Sequence, residues 1–244
     1  MRLTRVHVEA PPRLGETLKV EGSAGNHVIR VLRLRPGDAL TLFDGRGGEY
    51  AARIQDIRRD TVLVSVLEFQ PVERESPCRL TLAQGISRGE RMDWVVQKAT
   101  ELGVSRIVPL FTERSVVNLD EKQALRKMQH WRSIAIAACE QSGRNLVPEI
   151  ATPTEVFDYL QAGNPGGTGL LLSPRATLRI GSLTTLDEGG ATILIGPEGG
   201  LTDLEHESAL KHGFTPVRMG PRVLRTETAA VCALTLLQQR FGDL

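Results

Sequence analysis

The chain has 244 residues, 41% hydrophobic and 24% charged, with a formal net charge of +1. That is enough apolar sequence for a full core in one large or two small domains. The near-zero charge argues against indiscriminate coating of nucleic acid, and no apolar run is long enough to span a membrane. The three cysteines, Cys78, Cys139 and Cys232, are odd in number and far apart, so they define neither a zinc site nor a disulfide framework. Met1-Arg2-Leu3-Thr4-Arg5 runs into alternating sequence rather than a signal peptide. A reducing, cytoplasmic location is the expectation.

Residues 1–71 read as a small β domain. Short strands are expected over Leu3 to Val8, Thr17 to Val20, Ala39 to Phe43, Tyr50 to Ile57 and Thr61 to Leu67. Arg35-Pro36-Gly37-Asp38 and Asp44-Gly45-Arg46-Gly47-Gly48 are turns, and Arg58-Arg59-Asp60 joins the last two strands as a hairpin. Asn26 to Leu32 is expected to form a short helix capped by Asn26. Many short strands without a long helix favour a barrel or compact sandwich.

Near Pro71 to Pro77 a polar linker marks a boundary. Across 72–244, apolar runs at Leu80 to Ala83, Arg106 to Phe111, Gly169 to Leu172, Ala191 to Ile195 and Pro216 to Met219 alternate with helical patterns. The helices are expected over Glu90 to Leu102, Asp120 to Gln141, Thr154 to Gln161, Asp203 to His212 and Glu227 to Phe241. Strand-helix repetition with continuously apolar strands predicts an α/β domain with a mostly parallel sheet covered on both faces. Thr202 and Glu205 have capping-box spacing, as do Asp120 and Gln123. Gly103 and Gly213 are helix stops, Gly163 to Gly169 is a surface loop, and Thr226 is a candidate cap for the last helix.

Two segments could grip a small molecule: Gly196-Pro197-Glu198-Gly199-Gly200, and Gly220-Pro221 through Arg225-Thr226-Glu227 to Ala229-Ala230. Each follows an apolar run and feeds a helix, the arrangement in which α/β domains hold ligands. Neither GxGxxG nor GK[ST] is present, so the simplest dinucleotide and triphosphate readings fall away. Taken alone, the glycines are equally consistent with tight turns, and Arg225 with a structural ion pair or a ligand-facing cation. Ser87-Arg88-Gly89-Glu90-Arg91-Met92-Asp93, Phe111 to Ser115 and Arg144-Asn145 are polar loops that could line one cleft, although each taken individually reads as surface. The five histidines lack metal spacing, and neither GxSxG, HExxH nor CxxC occurs, so no metal is expected. Of the 30 basic residues 25 are arginine; arginine suits phosphate contacts, although genomic codon bias explains the same excess.

The combined pattern resembles the bacterial 16S rRNA uridine N3-methyltransferases of the SPOUT superfamily, the group often called RsmE. The resemblance rests on Asn26-His27 through Leu32-Arg33, Leu42-Phe43-Asp44-Gly45, Ser87-Arg88-Gly89-Glu90, Gln97 to Val104, Ala135 to Pro148 with Cys139-Glu140-Gln141-Ser142-Gly143-Arg144, Ile195 to Leu201, and Gly220 to Ala230. It implies a PUA-like RNA-binding β-barrel at 1–71 and a SPOUT methyltransferase and dimerisation domain at 72–244, with a parallel sheet and a trefoil knot. It also implies a homodimer that uses S-adenosylmethionine to methylate N3 of a uridine in 16S rRNA of the small ribosomal subunit.

The implied cofactor residues are Leu172, Ile195, Gly196, Gly200, Met219, Gly220, Leu224 and Arg225. Arg225, Glu198 and Glu140 are candidate catalytic groups, for anion stabilisation, base orientation or proton acceptance. Arg2, Arg5, Arg30, Arg33, Arg88, Lys98, Arg114 and Arg144 are candidate RNA contacts. Two other readings compete: a related methyltransferase acting on tRNA or a ribose hydroxyl, and a non-catalytic RNA-binding assembly factor.

Overall fold

In a computed structural model of the chain, residues 4–115, 120–163 and 167–244 are described. They divide into two compact units, Met1–Glu75 with Ile136–Val147, and Ser76–Ala135 with Pro148–Leu244.

The first unit is built on strands β1 (Arg5–His7), β2 (Thr17–Val20), β3 (Ala39–Phe43), β4 (Glu49–Arg58) and β5 (Thr61–Gln70), in the sheet order β1-β3-β4-β5-β2. β1 pairs parallel to β3, and the other pairings are antiparallel. In β5, Val62, Val64 and Val66 are buried while their neighbours are not, the period of two that puts one face of a sheet into the core. With Val6, Val20, Val28, Leu40, Leu42 and Ile54 they form that core. The expected hairpin at Arg58-Arg59-Asp60 is present, with Arg59 at φ 51°.

Helix α1 (Gly22–Asn26) runs into a π-helical turn, His27–Val31. This corrects the expected cap at Asn26. The chain has already turned helical at Gly22, so Asn26 lies inside the helix and its Nδ2 donates back to the Gly22 carbonyl at 2.9 Å.

The second unit holds helix α2 (Glu90–Glu101), helix α3 (Glu121–Ser142) as far as Ala135, helix α4 (Val156–Gln161), helix α5 (Asp203–Lys211) and helix α6 (Thr226–Phe241). Its strands are β6 (Leu80–Gly85), β7 (Arg106–Phe111), β8 (Glu149–Ile150), β9 (Thr154–Glu155), β10 (Thr168–Leu172), β11 (Ala191–Ile195) and β12 (Thr215–Val217). The order is β12-β10-β11-β6-β7-β8, with β9 also against β7, and every pairing is parallel. All five residues of β11 are buried, as expected for a central parallel strand covered on both faces.

The capping box at Thr202 and Glu205 is formed in both directions, at 3.3 and 2.7 Å. Asp120 and Gln123 are likewise reciprocal, at 2.8 and 3.1 Å. Thr154 and Glu155, expected in a helix, pair with β7 before α4 begins. Of the loop expected at Gly163 to Gly169, residues 164–166 lie outside the described residues. Among the described residues no helix is long and apolar enough to cross a membrane.

Candidate active site

The parallel strands of the second unit deliver their C-terminal ends to one cavity of about 810 Å³, a usual size for a small-molecule site. The end of β10 supplies Leu171 and Leu172, and the end of β11 supplies Ile195 and the 196–201 turn. The chain after β12 supplies Arg218 to Arg225, and the start of α6 supplies Thr226 and Glu227. The site therefore lies where open α/β sheets hold ligands, outside the carboxyl ends of the strands.

Two glycines let these segments close up. A Cβ on Gly85, at the end of β6, would sit 2.5 Å from the Pro197 nitrogen, and one on Gly196 would sit 2.8 Å from the Leu201 nitrogen. Any side chain at either position would push the 196–201 turn outward.

All eight residues named from sequence for the cofactor line this cavity, and so do Glu198 and Arg114. Glu198 is engaged: its Oε1 accepts from Arg91 Nη1 at 2.6 Å and from the Arg88 amide at 3.1 Å. Burial alone would raise its carboxyl. Hydrogen bonds from backbone and from Arg91, with the Arg91 charge, overcome that and hold it below the ordinary carboxylate range. Arg114 donates to the carbonyls of Gly199, at 3.0 Å, and Leu201. Two arginines thus brace the turn through its side chain and its backbone. Arg225 is different. It precedes α6, its side chain is exposed at the cavity, and no carboxylate lies within ion-pair distance among the described residues.

Thr226 is not the expected cap. Arg225 occupies the cap position without a side-chain bond. The Thr226 hydroxyl instead donates to the Gly196 carbonyl at 2.7 Å and accepts from Gln84 Nε2 at 2.9 Å. Arg91, Arg222 and Glu227 lie in segments singled out from sequence but were given no role at the cavity, and Gln84, Arg218 and His206 were not anticipated there at all. All but Gln84 line the cavity. The one available signal for Gln84 was a polar residue interrupting the apolar run that starts at Leu80.

The remaining candidates are placed elsewhere. Glu140 belongs to the first unit, where it accepts from the His7 amide at 3.0 Å. Burial pushes its carboxyl up, against the smaller opposing effects of that bond and of nearby His27 and Arg5.

Arg5 and Arg144, read from sequence as RNA contacts, are built into the same unit. Arg5 pairs with Glu49, donates to Asn145 Oδ1 at 2.6 Å and lies 4.7 Å over the Phe43 ring. Arg144 is 4% exposed and paired with Glu75. Both guanidinium groups are thereby withdrawn from solvent, and removing either partner would strand a buried charge. Arg30 is exposed, 3.3 Å from Asp60; Arg33 and Arg88 are exposed. Lys98 Nζ bonds both Glu101 oxygens, at 2.8 and 3.0 Å. Arg2 lies outside the described residues. The described residues contain no cluster of metal-ligating side chains.

Residues 74–238 match a family profile described as an RNA methyltransferase domain, and residues 20–67 match an RNA methyltransferase PUA domain. The ribosomal RNA small subunit methyltransferase E of Buchnera aphidicola (subsp. Schizaphis graminum) is 35% identical, across 100% of this chain and 98% of its own. The enzyme of the same name from Bacillus subtilis is 31% identical, across 97% and 94%.

Two solved structures cover 100% of both chains. A methyltransferase from Legionella pneumophila with bound SAM has 40% identity and a TM-score of 0.93. A ribosomal RNA small subunit methyltransferase E from Neisseria gonorrhoeae bound to S-adenosyl methionine has 34% identity and a TM-score of 0.92.

Proposed function

The chain belongs to the ribosomal RNA small subunit methyltransferase E family, and from that membership we propose that it methylates N3 of a uridine in 16S rRNA, using S-adenosylmethionine. The observation that carries the reading is the single cavity that gathers the glycine turn, the 218–225 segment and Arg225.

The residues present fit the cofactor. Leu171, Leu172, Leu201 and Leu224 offer apolar contact to a flat base, and the glycine turn brings main-chain groups to the wall. Bound there, S-adenosylmethionine supplies an electrophilic methyl group on a sulfonium sulfur.

N3 of uridine carries a proton, and its lone pair becomes a good nucleophile only as that proton leaves. In this reading the Arg225 guanidinium stabilises negative charge developing on the uracil oxygens, as preorganised donors do at developing anions. Glu198, held ionised and already bonded twice, is a poor proton acceptor; it orients Arg91 and the turn. N3 lies on the pairing edge, so the target must be unpaired or drawn out of its partner's reach. Exposed Arg30, Arg33 and Arg88 are available to phosphates. The trefoil knot and the homodimer come into this reading through the family. An apolar side chain, Val223, stands 79% exposed beside the cavity, as one covered by a second copy would.

The test is transfer of labelled methyl groups to unmodified small-subunit particles, naked 16S rRNA and tRNA, followed by nucleoside analysis. Label in N3-methyluridine from the ribosomal substrates is expected. Label in tRNA or on a ribose hydroxyl would replace the reading.

A further inference from the structure

Where β6 ends, a fully buried side chain reaches two segments that lie far from it in sequence. Gln84 is 0% exposed. Its Nε2, with two hydrogens to give, donates to the Thr226 hydroxyl at 2.9 Å and to the Gly85 carbonyl at 3.0 Å, and stands 3.4 Å from the Gly196 carbonyl. Its Oε1 is buried and has no hydrogen-bond partner among the described residues. A buried acceptor left unmade is costly, so the amide's orientation needs a reason. The two carbonyls supply it: a flipped amide would set oxygen against oxygen at Gly85 and Gly196. Gln84 therefore keeps its donor inward, and that donor fixes the direction of the next bond. The Thr226 hydroxyl, accepting from Gln84, must give its own proton to the Gly196 carbonyl at 2.7 Å.

We propose that Thr226 and Gln84 are positioning residues for the cofactor cradle, a one-way chain of hydrogen bonds that sets the spacing between the 196–201 turn and the first turn of α6. The inference rests on the reading of this cavity as the S-adenosylmethionine site. Gly196 and Thr226 both line the cavity, and Leu224 and Arg225 immediately precede Thr226. Thr226 is 6% exposed as a residue, and its hydroxyl is spent on Gln84 and Gly196. One atom thus joins three stretches of chain, and two of them, the 196–201 turn and the start of α6, are adjoining parts of the cavity lining. A threonine at a helix start is ordinarily worth keeping as a cap. Here the helix receives no such bond, so its hydroxyl serves the turn instead.

The test uses the full-length protein and S-adenosylhomocysteine as the probe, with calorimetric affinity and thermal unfolding measured on the same samples. Thr226→Val keeps the shape and removes the hydroxyl; it is expected to weaken binding about tenfold, the effect of losing a buried hydrogen bond. Thr226→Ser restores the hydroxyl and is expected to bind within about twofold of the parent. Gln84→Met is expected to weaken binding in the same direction as Thr226→Val. Ser105→Ala serves as the control, because it removes the hydroxyl bond to the Leu80 carbonyl at the opposite end of β6; affinity is expected to stay unchanged.

Parent-like affinity in Thr226→Val, no rescue by Ser, or an equal loss in Ser105→Ala would each overturn the proposal. Should Thr226→Val fail to fold, Gln84→Met decides: parent-like affinity there overturns it. Failure of the parent protein to bind the probe at all would instead remove the cofactor reading beneath it.

Discussion

Two carboxylates in the first unit are pushed in opposite directions by their surroundings. At Glu49, burial would raise the carboxyl, but hydrogen bonds and charge from Arg74 and Arg5 overcome it and lower it below the ordinary 4.5. Its stabilisation is present above the unfolded value and is lost as pH falls through the folded one. At Glu140 burial wins and raises the carboxyl. The folded state then favours the protonated form, and that advantage is lost as pH rises through the raised value. Denaturant titrations should separate the two. Glu49→Gln is expected to cost about 3 kcal/mol near neutrality, by stranding buried arginine charge, with the difference shrinking in acid. Glu140→Gln, which keeps an acceptor for the His7 amide, is expected to stabilise near neutrality and to be neutral in acid. At the cavity, Arg225→Ala is expected to lower methyl transfer about a hundredfold, the usual size for loss of one anion-stabilising donor. Its unfolding temperature should be unchanged, because Arg225 pairs with no carboxylate among the described residues; undiminished transfer would remove its catalytic assignment.

Among the elements, α5 shows how a local signal and a distant one meet on one residue. Glu205 Oε2 accepts from the Thr202 amide within the capping box, while Oε1 accepts from the Glu113 amide after β7 at 2.8 Å. Thr202→Ala should cost about 1 kcal/mol, a typical cap. Glu205→Ala should cost about 2–3 kcal/mol, since it leaves the buried Thr202 amide and the part-buried Glu113 amide without their acceptor; equal losses in urea titrations would deny the second bond its weight. The same contrast explains what was readable in advance. Strands such as Ala191–Ile195 and the box at Thr202 are written in adjacent residues, so apolar runs and spacing reveal them. Thr226 looked like a cap because threonine before an apolar helix usually is one. Its true partners stand 30 and 142 residues away, and periodicity carries no information over such separations. The cavity residues named from sequence came from recognising whole motifs; no local pattern brings Leu172, Gly196 and Leu224 to one wall.

For the whole molecule, the proposed pairing of two copies makes a direct demand on the surface. Val223→Glu puts a charge where the reading places a covered apolar side chain. Sedimentation should show a dimer for the parent and a shift toward monomer for the variant. A monomeric parent would remove the homodimer from the proposed function. Sequence reading drew one cut through the chain, at 71/72, because composition changes there. Contacts group Ile136–Val147 with the N-terminal strands, a membership set by Arg144 against Glu75 and by Asn145 against Arg5 and the Val72 carbonyl, where Asn145 Nδ2 donates at 2.8 Å.

That borrowed dozen of residues means the N-terminal unit is not encoded by its own stretch of gene. A peptide stopped at Glu75 would carry Arg5 without Asn145 and Glu75 without its guanidinium, and the side of the sheet that meets Val147 and Leu146 at Gly45 and Arg46 would be bare. Such a fragment is expected to give poorly dispersed amide resonances, and adding a synthetic peptide of 136–147 in trans should sharpen them. The ribosome must therefore translate nearly twice the length of that first stretch before the earliest strands can finish folding.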